Sequence, residues 1–133
     1  MSIEAMALEI MQMRVLLVDG HPKVRWALRT YIQEETEFAV VGEASDADTL
    51  FSQVQLLQPD LILLEWELTG IMSDKLLPAL YTLAPAVRVI VLSSWWEPEQ
   101  LALAAGATGF ASKANGPEAL LEMLRRLAIE EGL

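Results

Sequence analysis

The chain has 133 residues, a 53% hydrophobic fraction and a formal net charge of −10. These values fit one domain with a real core and speak against direct nucleic-acid binding, which needs clustered Lys and Arg. The absence of cysteine excludes disulfides and thiolate metal sites and suits a cytoplasmic location; no apolar run approaches the ~18–20 residues that span a bilayer, so no membrane association is expected.

Residues 1–12 form an N-terminal extension, and residues 13–133 form the domain. In the extension Ile3, Met6, Ala7 and Ile10 have helical spacing, so an added helix and a disordered lead-in are both open readings. Glu4 and Glu9, with no basic residue, rule out a secretory signal. RVLLVD (14–19) is an apolar run ending in an acid and punctuated by Gly20-His21-Pro22, which reads as a buried parallel strand and a turn. Val24, Ala27, Leu28, Tyr31 and Ile32 then follow the spacing of a helix with one apolar face. FAVVGEA (38–44) reads as a second strand. Residues 47–57 place Ala47, Leu50, Phe51, Val54 and Leu57 on a helical face, with Asp46 or Asp48 suiting the helix dipole.

LILLEW (61–66) is the most apolar strand and therefore central. A third helix is expected from Ser73 to Leu83, with Pro78 costing it one backbone bond. VRVIVLSS (87–94) reads as a fourth strand, residues 97–105 as a short helix, and Thr108 to Ser112 as a fifth strand. Asn115 or Gly116 caps a last helix with Pro117 at its start and Leu120, Leu121, Leu124 and Leu127 on its face. Five strand–helix units imply an α/β fold, a doubly wound five-stranded parallel sheet. Ligands of such sheets bind beyond the carboxyl ends of the strands, which directs attention to Asp19, Gly20, Glu65, Ser93 and Lys113.

Those positions carry a resemblance. RVLLVDGHPKVRWAL resembles the opening of response-regulator receivers, where two adjacent acids end the first strand. DLILLEWELTG is similar to the segment around their phosphoacceptor, VRVIVLSS to the strand bearing a Ser or Thr, and GATGFASKANGPEAL to the strand with a Lys and the final helix. The similarity covers about residues 13–131. It is strongest to the LuxR/NarL-type subfamily, whose receivers precede a helix-turn-helix DNA-binding domain. It implies the flavodoxin-like (βα)5 receiver fold of two-component signalling. It also implies Glu65 as the phosphoacceptor equivalent, Asp19 and Gly20 as the acidic-pocket pair, Ser93 and Lys113 as the phosphate contacts, and Phe110 as the switch aromatic.

The family's chemistry requires an acyl carboxylate to attack a phosphoryl group while a divalent cation bridges the two negative charges. Clustered acids hold that cation, and a hydroxyl and an ammonium hold the phosphoryl oxygens. Two positions depart. Gly20 lacks the second acid, and Glu65 is one methylene longer than Asp, moving its carboxylate by ~1.5 Å, on the scale of displacements that cost ~100-fold in rate. The expectation is a non-enzymatic pseudo-receiver with weak Mg²⁺ binding at best, no required metal, and Asp19 and Glu65 as residual ligand candidates. The alternative is a phosphorylation-competent receiver of a relay that regulates transcription. Glu65 is expected to pair with Lys113, either holding an active-like state or as an inert remnant.

Ser93 and Lys113 are twenty positions apart, about two fewer than the family pattern, so the fourth helix should be short. Trp66, Trp95 and Trp96 lie near the carboxyl edge, as covers for the altered pocket or as interface anchors. A homodimer through the fourth helix, fifth strand and fifth helix is expected, with Arg125 and Arg126 facing acids such as Glu97 and Glu99. A histidine kinase is the other implied protein partner. His21 reads as a turn and helix start.

Overall fold

The computed structural model describes residues 2–4, 12–68 and 73–130. Of the N-terminal extension, the helical pattern over Met6, Ala7 and Ile10 lies outside the described residues. The domain contains β1 (Arg14–Val18), α1 (Pro22–Glu35), β2 (Ala39–Ala44), α2 (Ala47–Leu57), β3 (Leu61–Glu65), α3 (Ser73–Leu83), β4 (Arg88–Ser93), α4 (Glu99–Ala104), β5 (Gly109–Ser112) and α5 (Pro117–Glu130). All pairings in the five-stranded sheet are parallel, in the order β2-β1-β3-β4-β5. No helix among the described residues is long and apolar enough to cross a membrane.

The period-two geometry of the strands sorts the core into two layers. Leu16, Val18, Ile62, Leu64, Val89 and Val91 face one side, where Leu50 and Val54 of α2, Leu76, Leu77 and Leu80 of α3 and Ala102 of α4 cover them. Val15, Leu17, Leu61, Leu63, Ile90 and Leu92 face the other side, against Ile32 of α1 and Leu120, Leu124 and Leu127 of α5. Every residue of β3 is buried, as its unbroken apolar run requires of a central strand covered on both faces.

Local chemistry sets the helix ends. Asp46 is the N-cap of α2, its carboxylate accepting from the Thr49 N–H at 2.8 Å, while Asp48 occupies the first turn. Both acids expected to suit the dipole are therefore used. Gly116 takes φ +81° between a 3₁₀ turn at Lys113–Asn115 and the first residue of α5, a conformation that favours glycine. The fourth helix has only six residues, in line with the short spacing from Ser93 to Lys113. The face expected on α1 is shallower than its pattern suggested: Ala27 is exposed and Ile32 alone is buried. This helix instead anchors to β2 through Arg25 and Arg29, which both pair with Glu43 at 3.0 and 2.7 Å.

Leu64 is fully buried, so Leu64→Ala should cost about 2–5 kcal/mol of unfolding free energy. Trp26 is 68% exposed, and Trp26→Ala should stay within about 0.5 kcal/mol of the parent. Urea unfolding of both variants checks the pair.

Candidate functional site

Val18 of β1 lies beside Leu64 of β3, so the next residues, Asp19 and Glu65, emerge together where the strand order reverses. That is the ligand-binding crevice of a doubly wound sheet. They are the two buried charged residues among those described, 1% and 4% exposed. Buried carboxylates demand partners, and the surrounding backbone and side chains supply them. Asp19 Oδ2 accepts from the Lys113 ammonium at 2.8 Å. Its Oδ1 accepts from the His21 backbone N–H at 2.8 Å and lies 2.9 Å from His21 Nδ1. Glu65 Oε2 accepts from the Gly20 backbone N–H at 3.2 Å and lies 3.6 Å from His21 Nδ1 and 3.8 Å from Lys113 Nζ.

The expected Glu65–Lys113 contact is thus present at ion-pair range, but the ammonium's short hydrogen bond goes to Asp19. That bond helps to set the two carboxylates apart electrostatically. Burial works to raise the Asp19 pKa, yet hydrogen bonds from Glu65, Lys113 and His21 together outweigh it and hold the group at about 2. Burial pushes Glu65 the other way, above the usual carboxylate range, and the hydrogen bond and charge of Asp19 add to that push; Lys113 and the Gly20 N–H offset only part of it. Asp19, seated on the ammonium, is therefore the firmly ionised member of the pair. The His21 pKa is raised, first by its hydrogen bond to Asp19 and then by the charge of Glu65.

Ser93 ends β4 and is fully buried. Its hydroxyl donates to the Glu67 carboxylate and accepts from the Trp95 backbone N–H at 3.1 Å. Phe110 is buried in the layer beneath α4, beside Ala102. Trp66 is half-buried against the same layer, whereas Trp95 and Trp96 are 63% and 72% exposed. The reading of these last two as covers for the pocket is corrected: their loop turns the rings to solvent. Arg126 pairs with Glu122 on its own helix at 2.7 Å, not with an acid near α4.

Glu67 is absent from the sequence reading, which gives His21 only the role of a turn and helix start. Glu67 stands two positions beyond Glu65 and His21 two beyond Asp19, and only the turn geometry after each strand brings them back to the pocket rim. The magnesium ion implied by the resemblance does not fit this donor set. Mg²⁺ requires near-octahedral oxygen ligation, yet Gly20 offers no side-chain oxygen. The third convergent donor is an imidazole nitrogen.

A family model described as the response regulator receiver domain matches residues 15–125. The chain is similar to the transcriptional activator protein ExaE of Pseudomonas putida, 36% identical over 117 residues, covering 86% of this chain and 55% of that protein. It is also similar to the nitrate/nitrite response regulator protein NarL of Escherichia coli, 34% identical over 119 residues, covering 88% of this chain and 55% of that protein. The chain thus spans about half the length of these curated relatives. Among solved structures it resembles a LuxR-family two-component response regulator from Aurantimonas sp. SI85-9A1. That match has a TM-score of 0.82 and 26% identity over 90% of this chain and 86% of that one. The signal receiver domain of NarL from Mycobacterium tuberculosis matches with a TM-score of 0.78 and 26% identity, over 88% of this chain and 96% of that one.

The two carboxylates give opposite pH dependences. The lowered pKa of Asp19 contributes stability that is present above 3.8 and lost as pH falls toward about 2. The raised pKa of Glu65 contributes stability that is full below 4.5 and lost as pH rises through its folded value. Glu65→Gln should therefore gain stability relative to the parent on going from pH below 4.5 to neutrality, as read by urea unfolding at the two pH values. Parallel stability curves would show that burial of Glu65 carries no such cost.

Proposed function

The chain belongs to the response regulator receiver family, and from that premise we propose that it is a pseudo-receiver, a non-enzymatic signalling module working through protein–protein contact with little or no phosphotransfer. The observation that carries this reading is that both groups suited to hold a phosphoryl are engaged by carboxylates of the chain itself. Lys113 is seated on Asp19, and the Ser93 hydroxyl donates to Glu67. An incoming phosphoryl would have to displace both contacts without the bridging cation that its charge requires. The Glu67 carboxylate gives Ser93 an anionic partner of the kind a phosphoryl oxygen would be, which favours a module set in one signalling state over one that awaits a kinase.

Incubation with a small-molecule phosphodonor and Mg²⁺, followed by intact-mass measurement, tests the proposal. The parent chain should gain no phosphoryl increment. Gly20→Asp combined with Glu65→Asp should gain one, since a Cβ at Gly20 meets only Ser45 O at 3.7 Å, an ordinary contact. A phosphoryl increment on the parent chain would overturn the reading. It would favour the alternative, a phosphorylation-competent receiver of a relay regulating transcription, which the presence of Asp19, Ser93 and Lys113 near the strand ends supports.

Protein partners would meet the region around α4. Trp95, Trp96 and Leu101 are each more than 60% exposed there, and Arg125 on α5 is exposed; apolar anchors with a charged rim suit a symmetric interface. A homodimer with Kd of about 1 μM, or about −8 kcal/mol, should form without phosphodonor or Mg²⁺ and weaken in Trp95→Ala and Arg125→Glu. Sedimentation showing a monomer at about 100 μM would remove the interface. A histidine kinase would then be the remaining class of protein partner.

A further inference from the structure

The pocket that fits Mg²⁺ poorly brings together a different set of donors. Asp19 Oδ1, His21 Nδ1 and one oxygen of Glu65 lie within 4.8 Å of one another. Two of the separations are 2.9 Å between Asp19 and His21 and 3.6 Å between His21 and Glu65. Ligands bound to one ion at about 2.0–2.2 Å are separated by about 3.0 Å at right angles and about 3.4 Å at tetrahedral angles, by simple trigonometry on that range. Those two separations therefore already stand near the spacing of cis positions about one small cation, with the third donor pair within 4.8 Å.

Their placement comes from fixed backbone. Asp19 and Glu65 end adjacent parallel strands, and His21 is the N-cap residue of α1, immediately before Pro22. The two carboxylates approach from the buried side, whereas the His21 side chain is 70% exposed, leaving the outer coordination positions to water. Lys113 and the ion need not compete for one oxygen of Asp19, although Glu65 Oε2 also lies 3.8 Å from the ammonium and accepts from the Gly20 N–H, so an ion must share that oxygen or take the other one. The ammonium's short contact is to Asp19 Oδ2, and the oxygen facing His21 is Oδ1.

We propose that Asp19, His21 and Glu65 form a binding site for a divalent transition ion of the zinc class, with His21 replacing the acid that Gly20 lacks. An imidazole nitrogen beside carboxylates suits Zn²⁺, Co²⁺ and Ni²⁺, whereas Mg²⁺ prefers oxygen alone. On binding, the imidazole releases its Nδ1 proton to solvent and presents a lone pair to the ion. The ion would tie the start of α1 to the ends of β1 and β3, coupling metal supply to the rim of the signalling pocket. The inference rests on the same departure at Gly20 as the proposed function, and its readout is metal binding rather than phosphoryl gain, so the two fail on separate measurements.

Calorimetric titration of the full 133-residue chain with ZnCl₂, CoCl₂ and MgCl₂ tests the site. Zn²⁺ should saturate one site, and Co²⁺ should develop a visible d–d band, while Mg²⁺ at the same concentration gives neither heat nor competition. Losing an outer-shell partner of a metal ligand already costs about 10–100-fold, so His21→Ala, which deletes a direct ligand, should weaken Zn²⁺ binding by at least about tenfold and abolish the Co²⁺ band. His21 is exposed, so this variant should retain the parent's circular dichroism; Glu65→Gln should weaken binding likewise. A Zn²⁺ isotherm unchanged in His21→Ala would overturn the proposal and leave only nonspecific surface acids. Displacement of Zn²⁺ by equimolar Mg²⁺ would also overturn it, by showing that oxygen ligation governs the pocket.

Discussion

Two carboxylates buried side by side at the reversal of strand order are the constraint on which the rest of the site depends. Asp19 and Glu65 reach this position because parallel strands β1 and β3 end in register, and neither residue has bulk water to screen it. The molecule answers with one strong ion pair, one backbone N–H directed at each carboxylate, and an imidazole at the rim. One acid is consequently held ionised and the other is driven toward its neutral form. Removing one member of such a buried network leaves the others uncompensated, so the site behaves as a unit.

The scaffold makes that unit rigid. Strands β1, β3 and β4 are packed on both faces, by α2, α3 and α4 on one side and by α1 and α5 on the other. Side chains at their carboxyl ends inherit fixed directions from the backbone, as close-packed interiors enforce. The less regular parts cluster around the same rim. Glu67 lies in the turn after β3, Trp95 in the loop after β4 and Lys113 in a 3₁₀ turn after β5. Glu67 shows what this arrangement permits: an exposed acid on a turn reaches the buried Ser93 hydroxyl at the end of the neighbouring strand.

The α4 region has a different physical character. Its helix is six residues long, too short for stability of its own. It is held by Ala102 in the core and by the Tyr81 hydroxyl, which donates to the Gly106 carbonyl at 2.5 Å just beyond its end. Leu101 and Leu103 point outward together with Trp95 and Trp96. The pocket and this apolar surface are joined through Ser93, whose hydroxyl receives the Trp95 backbone N–H. A change at the Ser93–Glu67 contact thus acts on the loop that carries the two tryptophans.

The sequence by itself determined the sheet, the helices and the residues at the strand ends. Hydrophobic periods of two and 3.6 are local properties, and LILLE, Ala47, Leu50 and Val54 of α2 and the four leucines of α5 are buried as their spacing demands, with Phe51 and Leu57 partly covered beside them. Motif resemblance fixed Asp19, Gly20, Glu65, Ser93 and Lys113 as the residues of the pocket, and the departures at Gly20 and Glu65 were legible there too. Only the tertiary structure decided who pairs with whom. Lys113 makes its short bond to Asp19 and reaches Glu65 only at 3.8 Å, a division set by separations and burial that no spacing encodes. Ser93 meets Glu67, and the exposed His21 ring meets Asp19 at the pocket rim, because turns after strands redirect side chains by angles that the alternation of residues does not specify. The tryptophans after Ser93 are exposed for the same reason: loop direction is set by where the next element packs, and a short α4 held at Ala102 leaves their rings outside.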